Sequence, residues 1–588
     1  MMKVIKNNLK MLRYVWKSAK GIFLIAAAFC LCDVITPFQD TYLPKLIIDR
    51  LSDSAAFDSM IPLILLFVTV SLYKVVVWPL YRNYFLPVAK TKVSNALSIE
   101  MIGKIKELDL ECFEDEAFYN RYTKALNELD SRACSVFESF VSFIRYLLYT
   151  GVLSGIIVTL DPVLLMLGAG CALLSFLCNR YVARLNHNFS NVLTAAQRRC
   201  DYVRRILYVP EYARETRMFP VTNLLAAKYR MFSEEKEELY KKYGRKTLVA
   251  STAPEIVTTV LLHGVVVAYL VWQIADGART PGDFIALLLA TSQFSNQLAG
   301  LGEQLNSFYS NSLYVEDLEQ IFGYQSKVEG RSGRERPASF SEIRFRDVSF
   351  SYVGSERNVL EGIDLTLKKG EKVAIVGLNG SGKSTLIKLL LNLYNPTGGT
   401  VELNGQEVQK YSTEEYRKMF GVIFQDFHSL AFSVGENIAL EELGNGREEE
   451  VRLALERTGM LGKVERLKMG IHTPVTKELS EDGTEFSRGE MQSIMLSRLF
   501  LKAYDILVLD EPTSALDPYA EYRLYSQLFS KKAEGQTVIT VSHRLLATRD
   551  ADVIYYMENG RIVEKGSHVQ LMEQGGKYAQ MYHVQQYR

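Results

Sequence analysis

Along the 588 residues the hydrophobic and polar positions fall into two textures. The first half carries six apolar stretches, near residues 21–37, 61–80, 137–160, 163–177, 253–274 and 284–305. A helix needs about 20 apolar residues to cross a bilayer, so each reads as a membrane span. Spans one and two, three and four, and five and six are joined by short links, the third-to-fourth being little more than Asp161-Pro162. Between spans two and three, and again between four and five, run long polar segments rich in Lys, Arg and Glu. Their helical periodicity and few glycines make them continuations of the spans rather than loops. Each has one compact break, at Glu114-Asp115-Glu116-Ala117-Phe118-Tyr119 and at Val209-Pro210-Glu211-Tyr212-Ala213-Arg214, where a short amphipathic helix across the tip is expected.

After the sixth stretch the texture changes. A hydrophilic linker, residues 323–340, contains Gly330, Arg331, Gly333, Arg334, Arg336 and Pro337. Beyond it, short β-branched runs at residues 372–376, 506–509 and 538–541 alternate with amphipathic helical patterns, the signature of an α/β domain with a parallel-sheet core. Asn404-Gly405 and Asn559-Gly560, each between strand-like runs, predict hairpin turns. The expected organisation is an all-α six-helix membrane domain over residues 1–322, a linker over 323–340 and an α/β domain over 341–588.

Charge sharpens this division. Lys plus Arg number 68 and Asp plus Glu 67, a formal charge of +1, so a nucleic-acid partner is not expected. The mean hydropathy of zero averages an apolar half with a polar one. The lysine and arginine bias puts the N-terminus, the two long polar segments and everything after span six in the cytoplasm. The outer links hold acids instead: Asp49, Asp53, Asp58 and Asp283. Lys3, Lys6, Lys10, Arg13, Lys17 and Lys20 precede the first span as a signal peptide's basic region would. No small-residue cleavage site follows, so the segment is expected to be retained. The seven cysteines, Cys30, Cys32, Cys112, Cys134, Cys171, Cys178 and Cys200, lack zinc-site spacing and read as apolar fillers or free thiols.

The strongest local signal is Gly377-Leu378-Asn379-Gly380-Ser381-Gly382-Lys383-Ser384-Thr385, which fits the phosphate-binding loop G-x-x-x-x-G-K-[ST]. Its glycines let backbone N–H groups turn inward on phosphate oxygens at a helix N-terminus. Lys383 is placed to neutralise β- and γ-phosphates and Ser384 to ligate Mg²⁺. The apolar strand 372–376 before it and the helical pattern after it supply the required context. A second signal is Ile506-Leu507-Val508-Leu509-Asp510-Glu511, a buried strand delivering two carboxylates at its carboxyl end. Asp510 is the expected Mg²⁺ ligand, and Glu511 the group that polarises the water attacking the γ-phosphorus.

With these residues the chain resembles the ABC transporters, specifically exporter half-transporters, over essentially its whole length. The resemblance implies ATP and Mg²⁺ as ligands, a multi-pass position in the cytoplasmic membrane, and roles for further residues. Pro512-Thr513-Ser514-Ala515-Leu516-Asp517 matches the D-loop, with Ser514 and Asp517 facing a partner. His543, in Val541-Ser542-His543-Arg544, matches the switch histidine that partners Glu511. Gln425 matches the Q-loop glutamine, which bridges Mg²⁺ to the membrane domain. Tyr352 is placed like the aromatic that stacks on adenine, and the two cytoplasmic breaks resemble coupling helices. One motif departs from the pattern: the family's Leu-Ser-Gly-Gly-Gln is here Phe486-Ser487-Arg488-Gly489-Glu490. Ser487 and Gly489, which touch the partner-held nucleotide in the family, are kept. Ser487-x-x-Glu490 also reads as a capping box. Arg488 in place of glycine leaves three roles open: attracting phosphate, blocking closure or pointing into solvent.

The resemblance further implies that two such ATPase domains clamp ATP between one phosphate loop and the other's signature, so the working unit is a dimer with a second half-transporter. An altered signature beside intact Glu511 and His543 fits a homodimer and a heterodimer equally. The cargo is left open among peptide, drug and lipid, and so are a flippase, an exporter-folded importer and a nucleotide-gated regulatory subunit. No peptidase-like segment precedes span one, so leader-peptide cleavage is not expected. Lys74 and Arg82 in span two, and Glu138 and Arg145 in span three, with Tyr73, Tyr81, Tyr146 and Tyr149, either line a polar cavity or pair within the bundle.

Overall fold

The computed structural model describes residues 2–53, 57–209, 212–329, 335–337, 339–355, 357–444, 446–511, 535–542 and 548–586. These fall into two units, Met1–Ile102 with Arg121–Phe322, and Gly103–Asn120 with Gly323–Arg588. The first is helical. A leading amphipathic helix, Met2–Ser18, buries Met11, Leu12 and Val15. Its buried Asn7 donates to the Ser312 hydroxyl at 3.0 Å. Six long helical segments follow: Lys20–Ser52, Phe57–Ile105, Glu116–Leu160, Pro162–Tyr208, residues 222–275 and Pro281–Phe322.

Among the described residues, three helices are both long and apolar enough to span a bilayer: Lys20–Ser52, Phe57–Ile105 and Cys134–Leu160. Pro162–Cys178 and Val266–Ala275 are apolar but shorter, and the last segment interrupts its apolar run with Gln293, Asn296, Gln297 and Glu303. The last three expected spans are therefore weaker by composition than their sequence reading. A bundle's inward face tolerates such polar positions because neighbouring helices supply their hydrogen bonds. Tyr149, for example, donates to Gln293 at 2.8 Å. Two of the long segments widen into a π turn directly after a proline, Phe38–Tyr42 after Pro37 and Leu80–Phe85 after Pro79. A proline has no N–H to give the turn before it, and the backbone relaxes around that gap.

The short links are tied down by side chains. Asp161 caps the helix Pro162–Tyr208 by accepting from the Val163 N–H at 3.0 Å, and it also accepts from the Tyr269 hydroxyl at 3.1 Å. Asp49 and Asp283 prove to be structural: Lys45 reaches both, at 3.0 and 3.2 Å. The second cytoplasmic break holds the helix Ala213–Met218, which starts near the end of the expected stretch. Val209 ends the preceding helix in the extended conformation that a following proline in the sequence favours.

The second unit is α/β. β1 (Glu342–Phe350), β2 (Leu360–Lys368), β4 (Gly398–Leu403) and β5 (Gln406–Glu407) make an antiparallel sheet in the order β2-β1-β4-β5. β3 (Lys372–Gly377), β6 (Phe420–Ile423), β7 (Ile506–Asp510), β8 (Thr537–Val541), β9 (Val553–Glu558) and β10 (Arg561–Gly566) make the main sheet, ordered β10-β9-β3-β8-β7-β6. All its pairings are parallel except that of β10 with β9. Every residue of β7 and β8 is buried, as expected of strands covered on both faces. The helix Lys383–Leu390 buries Leu386, Ile387, Leu389 and Leu390 in a core shared with β1, β2, β3 and β8. Both predicted hairpins form, Asn404-Gly405 and Asn559-Gly560 each placing two successive residues at positive φ. A smaller helical lobe, including Val434–Ala439, Glu448–Thr458 and Arg488–Leu496, closes over Val434, Ile438, Val451, Leu455, Ile494 and Met495.

Residues 103–120, expected within the membrane domain, pack into this second unit. The short helix there is Glu111–Glu114; the first break itself is a single extended residue, Asp115, which accepts from the Ala117 N–H at 2.9 Å and starts the next helix. Just ahead lies Asp109, 1% exposed. Its carboxylate accepts from the Tyr324 hydroxyl at 2.8 Å, the Lys327 N–H at 2.8 Å, the Val328 and Glu329 N–H groups at 3.1 Å each, and the Ser326 hydroxyl. The start of the expected linker is thus wrapped around one buried anion. Burial alone would raise the Asp109 pKa; hydrogen bonds from Ser326, Lys327, Tyr324 and Glu329 outweigh it and hold the carboxyl below the ordinary value.

A depressed folded pKa means that this contribution is fully present above the unfolded value, about pH 4, and is lost as pH falls through the lower folded value. Asp109→Asn turns an amide N–H₂ toward a nest of donors. The expected cost is about 2 kcal/mol, read as a lower midpoint in denaturant unfolding of the detergent-solubilised protein, with the deficit shrinking toward acid pH.

Candidate active site

The phosphate loop leaves β3 at Gly377 and enters the helix Lys383–Leu390 through Gly382. Only glycine suits these two corners. A Cβ on Gly377 would lie 2.3 Å from the Met557 carbonyl oxygen, and one on Gly382, at φ +100, would lie 2.6 Å from Leu360. Gly377, Asn379, Gly380, Gly382, Lys383, Ser384 and Thr385 line a cavity of about 1370 Å³, together with Gln425, Asp510 and Glu511. The expected loop and the two expected carboxylates therefore share one site.

Inside it, polar groups are held ready with incomplete satisfaction. The Ser381 hydroxyl is buried and, among the described residues, has no hydrogen-bond partner, which suits a group that would receive an anionic oxygen. The Lys383 ammonium, 7% exposed, folds back onto the loop's own carbonyls, Gly377 at 3.0 Å and Leu378 at 2.9 Å. Burial pushes its pKa below the ordinary lysine value, against the raising influence of Glu511 and Asp510. Asp510, at the end of β7, is pushed up to about 6, by burial first and by the neighbouring Glu511 charge next, against Lys383 and a hydrogen bond from Ser384. Glu511 takes a left-handed φ of +49, rare outside glycine, and this turns the chain out of the strand. Its N–H is anchored to the Val541 carbonyl at 2.9 Å and its carboxylate accepts from Gln425 at 3.0 Å. The Q-loop candidate and the water-polarising candidate are thus directly bonded.

Asp510, Ser384 and Gln425 all line this cavity and offer an all-oxygen donor set, the chemistry that suits Mg²⁺. His543, Ser514 and Asp517 lie outside the described residues.

Tyr352 follows β1 and is fixed from several sides. Its hydroxyl is 3.1 Å from that of Thr385, and its ring meets Phe350 and Tyr394 edge-on. The Lys388 ammonium sits over the Tyr352 ring at 5.2 Å and over Tyr394 at 5.5 Å, and it pairs with Glu114 at 3.3 Å. The same unit therefore joins the turn at Glu111–Glu114 to the phosphate-loop helix and to the aromatic candidate. Sequence reading placed Glu114 in the first break but missed Lys388 and the pairing of the two, 274 residues apart with no spacing to connect them. It also missed the C-terminal helix Lys577–Gln586, whose Lys577, Gln580 and Met581 line the same cavity.

The altered signature forms the predicted capping box. Ser487 caps the helix Arg488–Leu496: its hydroxyl accepts from the Glu490 N–H at 3.4 Å, while Glu490 returns an acceptor to the Ser487 N–H at 3.0 Å. Lys463 and the Ser487 N–H hold the Glu490 carboxyl below its ordinary pKa. Gly489 gives its carbonyl to the Ser493 hydroxyl. Arg488 is exposed and lines a cavity of about 670 Å³ with Gln425, Phe427, His428, Glu485 and Phe486.

Comparison with known proteins places both halves. Residues 360–514 match the family described as ABC transporter, and residues 22–200 match the ABC transporter transmembrane region. The lactococcin-A transport/processing ATP-binding protein LcnC of Lactococcus lactis is 33% identical over 52% of this chain and 41% of its own. An ATP-dependent lipid A-core flippase of Aromatoleum aromaticum is 32% identical over 61% of this chain and 58% of its own. The chain thus spans about half the length of these two relatives. The subtilin transport ATP-binding protein SpaT of Bacillus subtilis is 24% identical over 98% and 94%. The solved structure of a bacterial Atm1-family exporter with ATP bound superposes with a TM-score of 0.72 at 22% identity, covering 97% of this chain and 99% of that one. It shows the fold alone.

Because Glu490→Gln keeps an acceptor for the Ser487 N–H, it should move stability by less than about 1 kcal/mol, whereas Ser487→Ala removes the cap and should cost about 1 kcal/mol. Thermal unfolding of the two variants side by side checks this ordering.

Proposed function

The chain belongs to the ABC transporters, and on that premise we propose that it is one half of an exporter in which MgATP hydrolysis drives a substrate across the cytoplasmic membrane. The observation that carries the proposal is the meeting of the phosphate loop, Asp510, Glu511 and Gln425 around one cavity, in a chain whose other unit is a membrane bundle. The membrane domain is residues 1–322, the linker 323–340 and the ATPase domain 341–588, with the N-terminus and the ATPase domain in the cytoplasm.

Lys383 leaves the Gly377 and Leu378 carbonyls for the β- and γ-phosphates, and Ser381 gains its missing partner there. Mg²⁺, held by Ser384, Asp510 and Gln425, neutralises phosphate charge when bound. Glu511, released from Gln425, orients the attacking water, and His543 stabilises the γ-phosphate. Tyr352 stacks on adenine. Each site is completed by a second copy or a related subunit, which contributes Ser487, Arg488, Gly489, Glu490 and the D-loop residues Ser514 and Asp517. Closure of the two ATPase domains reaches the spans through the Glu111–Glu114 turn, gripped by Lys388, and through Ala213–Met218.

Relatives named for lactococcin and subtilin transport favour a peptide cargo, and those named as lipid A-core flippases favour a lipid. In either case the ATPase chemistry is the same. Glu511→Gln should bind MgATP as the wild type does while turnover in proteoliposomes falls at least about 100-fold. Near wild-type phosphate release from purified Glu511→Gln protein contradicts the assignment.

A further inference from the structure

Within the membrane bundle, opposite charges from three helices gather beside one small cavity. Lys74 pairs with Asp40 at 3.0 Å, and Arg145 lies 3.8 Å from Asp33. All four sit in the three helices long and apolar enough to span a bilayer. The cavity, about 180 Å³, is lined by Asp33 and Lys74 together with Phe29, Thr36, Tyr73 and Trp78. The Cys32 thiol receives the Tyr73 hydroxyl at its edge, and the Arg145 guanidinium lies over the Tyr146 ring at 4.9 Å.

Two features define what this place can hold. First, the charges are not sealed off: the Lys74 and Asp40 side chains are 33% and 34% exposed, and those of Arg145 and Asp33 are 26% and 19% exposed. Charged groups this uncovered, in helices of membrane-span length, are costly against lipid, which favours a polar lumen on this side of the bundle. Second, the four charges sum to zero. A singly charged guest would leave a net charge in a low-dielectric setting, a costly arrangement, while a guest with one cation and one anion exchanges partners without changing the total. Its ammonium takes Asp33 and its carboxylate takes Lys74, with Phe29, Tyr73 and Trp78 against its apolar body.

We propose that this cavity is a substrate site for a zwitterionic amphiphile: a small body bearing an ammonium and an anionic group, such as the free ends of a short apolar peptide. The proposal deepens the transport reading above and rests on it for its purpose, although binding itself requires neither nucleotide nor turnover.

Trp78 supplies the readout, since it lines the cavity while the other two tryptophans, Trp16 and Trp272, do not. Fluorescence of the full-length protein in phosphatidylglycerol nanodiscs, without nucleotide, is titrated with leucine, small enough for the cavity, in four forms: free, N-acetylated, C-amidated and doubly blocked. Trp78→Phe protein gives the background. The free form is expected to bind at least about tenfold more tightly than either singly blocked form. Asp33→Asn should shift preference to the N-acetylated form, which keeps only the carboxylate, and Lys74→Gln to the C-amidated form, which keeps only the ammonium. Opposite shifts in two variants are not produced by a general loss of folding. Repeating the titration in phosphatidylethanolamine nanodiscs separates sources: a Trp78 change caused by that lipid alone, and competing with leucine, supports the same chemistry with a lipid headgroup as guest. Equal affinity for all four forms, no Trp78 response to leucine or lipid, or the same preference in both variants overturns the proposal. An inactive ATPase with these binding preferences intact would sink the transport reading and leave the site standing.

Discussion

Everything in the ATPase unit is arranged around an electrostatic mismatch that the folded chain does not resolve by itself. A parallel sheet delivers two adjacent carboxylates, Asp510 and Glu511, to its carboxyl edge, where burial and mutual repulsion push Asp510 up to about 6. The loop from β3 brings an ammonium that is itself depressed by burial and leans on backbone carbonyls, and a serine hydroxyl with no partner. A polyphosphate with a divalent cation repairs each of these at once: it offers oxygens to Ser381 and Lys383 and positive charge to Asp510. The fold stores a site complementary to a ligand and incomplete without one.

Within the same unit, short contacts tie the phosphate-loop helix to the segment 103–120. Lys388 lies one turn past the phosphate loop on the helix that the loop caps, over the rings of Tyr352 and Tyr394, and it holds Glu114. A few residues earlier Asp109 gathers the segment 324–329 by side-chain and backbone donors. An exposed pair such as Lys388–Glu114 is worth little in stability, about 0–1 kcal/mol, so its value lies in position. The buried Asp109 nest supplies the rigidity, fixing the segment 103–120 and the linker's first residues in one unit.

Much of this was legible in the residues. The two textures, the parallel core, both Asn-Gly hairpins and the capping box at Ser487 follow from local rules that depend on a few neighbouring positions. The phosphate loop was legible from the spacing of its own glycines, although the contacts that demand glycine at 377 and 382 come from Met557 and Leu360, outside the loop. What escaped reading depends on distance in the chain. The Gln425–Glu511 bond, the Lys388–Glu114 pair and the Asp109 nest join positions 86, 274 and more than 200 residues apart, and no periodicity reports such pairings. The short helices at the two breaks were located but shifted by a few residues, since the extended Asp115 and Val209 end helices there. Of the charges expected either to line a cavity or to pair within the bundle, Lys74 pairs with Asp40 and lines a small cavity, Arg145 pairs with Asp33, and Glu138 pairs with Lys90.

The central claim is that nucleotide at the phosphate loop closes the ATPase unit against a second subunit and thereby rearranges the membrane bundle. Hydrogen–deuterium exchange on the reconstituted protein, with and without MgATP, examines all three places together. Protection should appear at residues 377–385, at the signature 486–490, which only closure covers, and with altered exchange along Phe57–Ile105. Protection confined to the phosphate loop, with the signature and the membrane helices unchanged, would contradict the account.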